Sequence, residues 1–228
     1  MKVHIITINE RIANEDTNVN KTVSTQKFRP SAQVDDQDER EVKEIIRRIK
    51  GGDQRAFAEL VDRYRNQVAA LAYKMLGDYD EAADVTQNVF VKTSQNIWRY
   101  DESKRFYTWL YRITVNASID YMRKHKRHRH EPLENVRDTV ENFRDNPESN
   151  FQTSQLRAYI TAATERLNGK QKSAFVLRDI EGCQIDDVAN IMDMPEATVR
   201  WYLHRARQKI KKDLLRRCPG LLIALGIK

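Results

Sequence analysis

The residues whose types and spacing best suit chemistry lie on one helical face near the C-terminus. In the segment PEATVRWYLHRARQKIKK, an apolar stripe recurs at spacings of four, three and four and predicts a buried helix face: Val199, Leu203, Ala206 and Ile210. The opposite face carries cationic, aromatic and amide side chains: Arg200, Trp201, His204, Arg205, Arg207, Gln208 and Lys211. Such side chains bind base edges and phosphates, so DNA contact is the favoured interpretation. An ordinary solvated basic helix is the alternative.

The elements in front of this helix favour the DNA interpretation. The short helical pattern QIDDVANIM is followed by Asp193 and Met194 as a tight turn, and then by the longer basic helix. A short helix, a turn and a second helix form the helix-turn-helix that lays its second helix in the major groove. Pro195 suits the first turn of that helix, and Glu196 suits the positive end of its dipole.

A second stretch, RFYTWLYRITVNASIDYMRKHKRHRH, combines an apolar helix with dense positive charge. Its inward face is predicted from helical spacing to consist of Phe106, Leu110, Ile113, Ala117 and Tyr121. The other side presents Tyr107, Tyr111, Arg112, Asn116 and Arg123. We expect Trp109 to pack in the core, because large aromatic side chains on an apolar stripe usually do.

Composition sets the class of partner. The 228 residues carry a formal net charge of +7 and a pI near 9.3, so we expect a polyanionic partner, either nucleic acid or an anionic membrane. Two unpaired-looking cysteines, Cys183 and Cys218, suit a reducing cytosol. The N-terminus lacks the features of a signal peptide, and the apolar tail LLIALGIK is too short to span a bilayer. We therefore expect a cytoplasmic protein without direct membrane insertion.

The sequence offers no catalytic constellation. It lacks GxxxxGK[ST], GxSxG and HExxH, so we predict neither an enzyme nor a bound cofactor. His125, His128 and His130 suggest a metal site, but no cysteine or carboxylate ligands accompany them in this basic run. We predict no metal.

The periodicities predict an all-α protein with two small helical domains joined by a flexible linker. The proposed order is a flexible N-terminal extension (1–37), a first helical domain (38–127), a linker (128–152), a second helical domain (153–216) and an apolar tail (217–228). The tail is expected either to fold back on the second domain or to meet a partner.

Both functional stretches resemble one family. The segment LNGKQKSAFVLRDIEGCQIDDVANIMDMPEATVRWYLHRARQKIKK resembles region 4 of the extracytoplasmic-function (ECF) sigma factors of bacterial RNA polymerase. The stretch FYTWLYRITVNASIDYMR resembles their region 2, whose signature runs close to FxTWLYRIAxNxxxDxxR. Two departures are apparent: Gln184 stands where Ser or Thr usually caps a helix, which should cost about 1 kcal/mol, and Trp201 replaces what is often a small polar residue.

The resemblance implies two DNA-reading surfaces. Region 2 and the loop before its basic helix would bind the promoter's minus ten element and capture an extruded base, through Lys104, Arg105, Tyr107, Tyr111, Arg112, Asn116, Arg123, Lys124 and Arg127. Region 4 would bind the minus thirty-five element through Thr198, Arg200, Trp201, His204, Arg205, Arg207, Gln208 and Lys211. In this assignment Arg200, His204 and Arg205 face bases, whereas Arg207 and Lys211 face phosphates.

The same resemblance implies protein partners. Asp84, Gln87, Asn88 and Lys92 would contact the beta-prime clamp of RNA polymerase core, with Asn88 where the family commonly has an acidic residue. Region 4 would meet the beta flap, and an anti-sigma factor is a further candidate partner. The expected function is an alternative sigma factor that directs promoter-specific initiation. The alternatives are a dimeric helix-turn-helix regulator, which has no heptad seam to support it, and a nucleic-acid-modifying enzyme, which lacks catalytic residues.

Overall fold

The fold is described by a computed structural model for residues 36–126 and 159–217. The N-terminal part (36–126) contains α1 (Asp36–Lys50), α2 (Gln54–Leu76), α3 (Tyr79–Asn96), a 3₁₀ turn (Ile97–Arg99) and α4 (Phe106–Lys126). The C-terminal part (159–217) contains helical residues 159–164, α5 (Gly169–Phe175), a π-helical turn (Val176–Ile180), α6 (Ile185–Met192) and α7 (Glu196–Arg217). Within these two ranges all regular structure is helical, which confirms the predicted all-α class.

Caps and glycines set the helix boundaries of the N-terminal part. Asp53 accepts hydrogen bonds from the N–H groups of Arg55 and Ala56 and so begins α2. Gly77 ends α2 in the left-handed region, with φ of 85°, and donates its N–H to the Tyr73 carbonyl. Asp78 then caps α3 at once, because its carboxylate accepts from the next turn's N–H groups. Gly77 and Asp78 therefore form a connection of only two residues between α2 and α3.

The N-terminal part is a helical bundle around α2, which packs against α1, α3 and α4. The apolar stripe of α1 enters the core through Val42, Ile45 and Ile46. From the other side Phe106 and Leu110 of α4 are fully buried, as their spacing predicts. Burial of this apolar surface stabilises the bundle and fixes which face of α4 remains available for binding.

The C-terminal part contains the predicted helix-turn-helix. Between α6 and α7, Asp193 adopts a left-handed conformation with φ of 53°, and the carbonyl of Pro195 accepts the N–H of Val199. Pro195 thus stands immediately before the helix, which begins at Glu196. Gln184 makes no side-chain cap to α6, as expected. The segment KQKSAFVLRDI is helical throughout, as its periodicity predicts, and its last turn is a π turn.

The two parts pack against each other. One continuous apolar cluster includes Tyr107 and Tyr111 of α4 together with Leu177, Cys183 and Val188 of the C-terminal part. This close approach is not expected from two modules on a flexible tether. The predicted linker, the N-terminal extension up to residue 35 and the apolar tail from Cys218 onward lie outside the described residues.

Charged contacts accompany the apolar ones between the two parts. The Lys74 Nζ lies 2.7 Å from the Glu181 Oε1, and the Glu181 side chain is only 8% exposed. A Cβ on Gly169 would lie 3.2 Å from side-chain carbons of Ile119, so the backbone of α5 approaches α4 closely there.

None of the helices in the described ranges has the length and apolarity needed to cross a membrane.

Candidate nucleic-acid interface

The basic face of α7 is presented to solvent as its sequence predicts. The apolar stripe of α7 is buried, with exposed fractions of at most 6%: Val199, Leu203, Ala206 and Ile210. Five of the predicted DNA-binding residues are exposed on the outer side: Arg200, Trp201, His204, Arg205 and Gln208. Thr198 and Lys211 lie half-buried at its edge. The outer face is therefore broad, basic and available to a ligand.

Two arginines on this face are held by neighbours one helical turn away. Arg200 donates from Nη2 to the Glu196 Oε2 at 2.7 Å. The guanidinium carbon of Arg205 lies 5.5 Å from the centroid of the Trp201 ring, which is a cation–π contact. Both side chains are therefore ordered before any ligand arrives.

Arg207 occupies a different environment from the one predicted for a phosphate contact. Its Nε and Nη2 donate to the two carboxylate oxygens of Asp179, at 2.8 and 2.5 Å. Hydrogen bonding to Asp179 raises the pKa of Arg207 above its ordinary value, against the opposing effect of burial. The expected exposed position of Arg207 is wrong, because the π turn brings Asp179 against α7 and the pair joins the two elements.

Asn116 lies exposed at the rim of a cleft between α3 and α4. The cleft has a volume of about 280 Å³ and is lined by Lys92, Asn96, Arg99, Trp109, Ile113 and Asn116. Trp109 is half-buried and packs at ring distances of 5.6 and 5.7 Å from Tyr100 and Phe106, so it belongs to the edge of the core and also forms a wall of this cleft. The cleft combines an aromatic wall, two amides and two cationic side chains.

Three members of this cleft are placed differently from the sequence interpretation. Lys92 was predicted to contact polymerase, but it is half-buried and lines the cleft. Asn96 and Arg99 were not predicted as site residues. These three residues, Lys92, Asn96 and Arg99, are spaced by four and three positions, so they lie on one face of α3 that continues into the 3₁₀ turn. This spacing is the sequence signal that could have identified Asn96 and Arg99. Only the packing of α3 on α4 reveals that this face opposes Asn116.

Tyr107 and Tyr111 are buried, and their predicted exposure on the outer side of α4 is wrong. Their exposed fractions are 3% and 1%, and their rings meet edge to face at 6.0 Å. Burial, together with nearby Asp187, raises the pKa of the Tyr107 hydroxyl, and burial likewise raises that of Tyr111. The physical reason is that α6 and the turn before it cover this side of α4.

Arg112 also contacts the C-terminal part. Its Nη2 donates to the Asn190 carbonyl at 2.6 Å and lies 3.2 Å from the Asp193 carboxylate, at the C-terminal end of α6. This end of a helix carries partial negative charge and favours a cation. A polar cleft beside this contact is lined by Lys104 of one part and by Asp186 and Glu196 of the other. In this arrangement the Arg112 guanidinium contacts the C-terminal part while the side chain stays 32% exposed.

The remaining cations near the start and end of α4 are exposed: Lys104, Arg105, Arg123 and Lys124. The loop before α4 is fixed by the Tyr100 hydroxyl, which donates to the Lys104 carbonyl, and by the Lys50–Glu102 ion pair at 3.0 Å. Arg127 lies outside the described residues, as do His128 and His130. His125 stacks on Tyr121 at 3.9 Å, so its ring is used in packing.

The predicted polymerase-binding residues lie mainly on one exposed face of α3. Asp84, Gln87 and Asn88 are exposed, with Gln87 and Asn88 three and four residues after Asp84, whereas Val85, Val89 and Phe90 on the opposite side are buried. The exposed Val91, with 49% of its surface accessible, extends the same face toward the 3₁₀ turn. This face points away from the core and adjoins the cleft that contains Asn116, because Lys92 of the cleft lies one helical turn after Asn88.

Comparison with known families identifies both parts of the chain. The Sigma-70 region 2 family matches residues 60–128, and the Sigma-70 region 4 family matches residues 157–210. The ECF RNA polymerase sigma factor SigW of Bacillus subtilis is 32% identical over 185 residues, which cover 76% of this chain and 96% of SigW. The ECF RNA polymerase sigma-E factor of Escherichia coli K12 is 34% identical over 176 residues, covering 73% of this chain and 90% of the relative.

A solved structure supports the fold. The structure of CnrH in complex with the cytosolic domain of CnrY matches with a TM-score of 0.54 and 23% identity, covering 76% of this chain and 96% of that one. The order of the two regions, the helix-turn-helix and the bundle that precedes it all agree with the sequence relatives. The chain therefore belongs to the ECF RNA polymerase sigma factors, which are DNA-binding transcription initiation factors rather than enzymes.

Proposed function

We propose that the chain binds bacterial RNA polymerase core and gives it promoter specificity, with α7 reading the minus thirty-five element as duplex and α4 reading and opening the minus ten element. The observation that carries this proposal is the presence, in one ECF sigma factor, of an exposed basic recognition face on α7 and a separate amide-rimmed cleft at Asn116. One surface suits intact duplex, and the other suits an unstacked nucleotide.

The face of α7 has the chemistry needed to read a major groove. Arginine forms bidentate contacts with guanine, and the exposed Arg200 and Arg205 lie near the N-terminal half of the helix, which is the half that reaches base edges in a helix-turn-helix. His204 lies between them, and Gln208 and Lys211 follow toward the backbone. Arg207 supports the position of α7 through Asp179 and has no direct role in this proposal.

The cleft at Asn116 has the chemistry needed to hold an extruded base. Trp109 and Ile113 offer apolar surface, Asn96 and Asn116 offer amides for a base edge, and Lys92 and Arg99 offer charge for the phosphate. Stacking contributes about 1–3 kcal/mol for each base, which is comparable to the few kcal/mol needed to extrude one. Strand opening in this way requires no ATP hydrolysis.

The exposed face of α3 is proposed to contact the beta-prime clamp through Asp84, Gln87 and Asn88. Lys92 is assigned instead to the nucleotide cleft, because its side chain lies there. Region 4 is proposed to meet the beta flap. The structure of CnrH in complex with the cytosolic domain of CnrY supports a further protein partner. Partnership with RNA polymerase core implies a cytoplasmic location.

Run-off transcription with purified core polymerase tests the proposal. We expect specific initiation from a promoter library only when this chain is added. A variant with Asp84, Gln87 and Asn88 all replaced by alanine should fail to associate with core in gel filtration while it still folds, because these side chains are exposed. A chain that binds DNA stably and leaves core polymerase unaffected would instead be a helix-turn-helix regulator, and the proposal would be wrong.

A further inference from the structure

Trp201 is a large aromatic side chain left on the DNA-facing surface of α7. It is 52% exposed, although aromatic side chains of this size usually bury most of their surface. The edge of the neighbouring Tyr202 ring meets it at 5.0 Å, and Tyr202 is itself half-buried against the core. The indole is therefore braced by the protein beneath it while much of its surface stays open to a ligand.

The same indole orders Arg205. The guanidinium of Arg205 lies 5.5 Å from the Trp201 ring centroid, one helical turn further along α7. The other base-facing arginine, Arg200, is held differently, by the Glu196 carboxylate at 2.7 Å. Ordering a side chain in advance lowers the conformational entropy lost on binding. Only the conformation of Arg205 therefore depends on Trp201, so Arg200 on the same helix serves as an internal control.

The chemistry of an open indole beside an ordered guanidinium selects a particular pair of bases. The thymine C5-methyl is the apolar group displayed in the major groove, and guanine N7 and O6 are the acceptors that match arginine. Residues four apart are separated by about 6 Å along the helix axis, which is less than two base steps of about 3.4 Å. The two contacts therefore fall within two base pairs of each other.

We propose that Trp201 determines promoter specificity in two ways: its indole packs on a thymine methyl in the minus thirty-five element, and it positions Arg205 on a guanine within two base pairs of that thymine. This inference rests on the proposed function of α7. It assigns Trp201 a direct apolar contact and a positioning role. It also predicts that the minus thirty-five element contains a thymine and a guanine within two base pairs of each other.

Modified bases test both roles in the complete holoenzyme. A minus thirty-five element is first selected from a randomised library by transcription with the wild-type holoenzyme, and each thymine in it is then replaced by deoxyuridine, which removes only the methyl. We expect one such change to weaken promoter binding about fourfold, as expected for one buried methyl group. In the Trp201→Ala holoenzyme, deoxyuridine at that position should not weaken promoter binding further. In Trp201→Phe, the same deoxyuridine should still weaken binding by most of the wild-type factor.

The positioning role is tested with 7-deazaguanine, which lacks the N7 acceptor. At the guanine read by Arg205, we expect a loss of about fivefold or more in the wild type. In Trp201→Ala, the fold-loss in affinity caused by 7-deazaguanine should be about two- to fivefold smaller than in the wild type. This range corresponds to the free energy of an exposed cation–π contact. The loss at the guanine read by Arg200 should be the same in both proteins, because Glu196 still orders Arg200.

Trp98→Ala is the matched control, because Trp98 is 63% exposed and belongs to the 3₁₀ turn rather than to α7. Circular dichroism checks that each variant folds. Equal deoxyuridine effects in wild type and Trp201→Ala, or a selected element without thymine, would overturn this inference alone. Absence of promoter-specific initiation by the wild-type holoenzyme would overturn the proposed function and this inference with it.

Discussion

We expect reading of the minus ten element to depend most directly on Asn116. It is exposed at the rim of the α3–α4 cleft, opposite Lys92 and Arg99. Asn116→Ala removes the amide and should reduce discrimination between bases at one position of the opened strand by about 1–3 kcal/mol, the value of a well-placed amide–base contact. The measurement is the affinity of holoenzyme for non-template oligonucleotides with each base substituted in turn.

Asn66→Ala is the control for this change, since Asn66 is another exposed asparagine, on α2. It should leave the base preference unchanged. Recognition of the minus thirty-five element should be unchanged in both variants, because α7 lies elsewhere. If Asn116→Ala keeps the wild-type preference at every position of the oligonucleotide, the assignment of the cleft to an extruded base is wrong.

Side-chain exposure was predictable from the sequence wherever one helix face decided it. The buried stripe of α7 and the exposed Arg200 and Arg205 follow from a period of 3.6 residues. Tyr107 and Tyr111 were predicted to be exposed because α4 has a second face that its own periodicity leaves open. Arg207 was predicted to be exposed for the same reason. Each error concerns a residue whose neighbour lies far away in the sequence, where helical spacing carries no information.

At the scale of elements, local signals located the helices well. Asp53, Gly77 and Asp78 fix the ends of α2 and the start of α3 through hydrogen bonds to backbone groups within a few residues. The π turn after α5 was not predictable, because an apolar run such as AFVL indicates burial and does not distinguish hydrogen bonds to the fourth residue from those to the fifth. Its consequence is nevertheless specific, since Asp179 in this turn binds Arg207.

The α6 helix of the helix-turn-helix lacks a side-chain N-cap, and adding one should stabilise the motif. Gln184 has an extended conformation suited to an N-cap, with φ of −67° and ψ of 159°, but its side chain makes no cap hydrogen bond. Gln184→Ser should accept a hydrogen bond from the first turn of α6 and raise the free energy of unfolding by about 1 kcal/mol. Thermal denaturation should show an increase of about 2–4 °C in Tm.

Gln184→Ala separates capping from the loss of the glutamine. Both variants remove the contact at 3.4 Å from the Arg178 Nη1 to the Gln184 Oε1, and the same nitrogen keeps its 2.6 Å bond to the Cys183 carbonyl. Only serine restores an acceptor at the start of the helix. The prediction fails if the serine and alanine variants have the same Tm.

At the scale of the whole molecule, the two DNA-reading parts are packed together rather than apart. The sequence identified both parts, because each contains its own apolar periodicity. Their association could not be predicted, since it depends on which face of α4 meets α6. Tyr107, Tyr111 and Arg112 lie in this contact, so in the described arrangement the two tyrosines are buried and the guanidinium of Arg112 is engaged by the C-terminal part. Any contact of these three side chains with DNA requires the parts to separate.

The Lys74–Glu181 pair allows this separation to be controlled, because both residues lie outside the two proposed DNA surfaces. Lys74→Glu replaces the cation beside Glu181, whose side chain is 8% exposed, with a second carboxylate, and like charges at close range repel when partly removed from water. We expect the parts to separate, with an increase in the radius of gyration of the free chain measured by small-angle X-ray scattering. Its affinity for a single-stranded minus ten oligonucleotide should rise as Tyr107 and Arg112 become accessible.

The reciprocal exchange provides the decisive comparison. The double variant Lys74→Glu with Glu181→Lys restores an opposite-charge pair and should return the radius of gyration toward the wild-type value, with a coupling of about 1 kcal/mol between the two positions. Arg65→Glu makes the same charge change at an exposed position on the same helix, α2, and should leave the molecule closed. If the double variant stays as open as Lys74→Glu, or if Arg65→Glu opens the chain equally, then the change in net charge rather than the loss of this ion pair accounts for the opening.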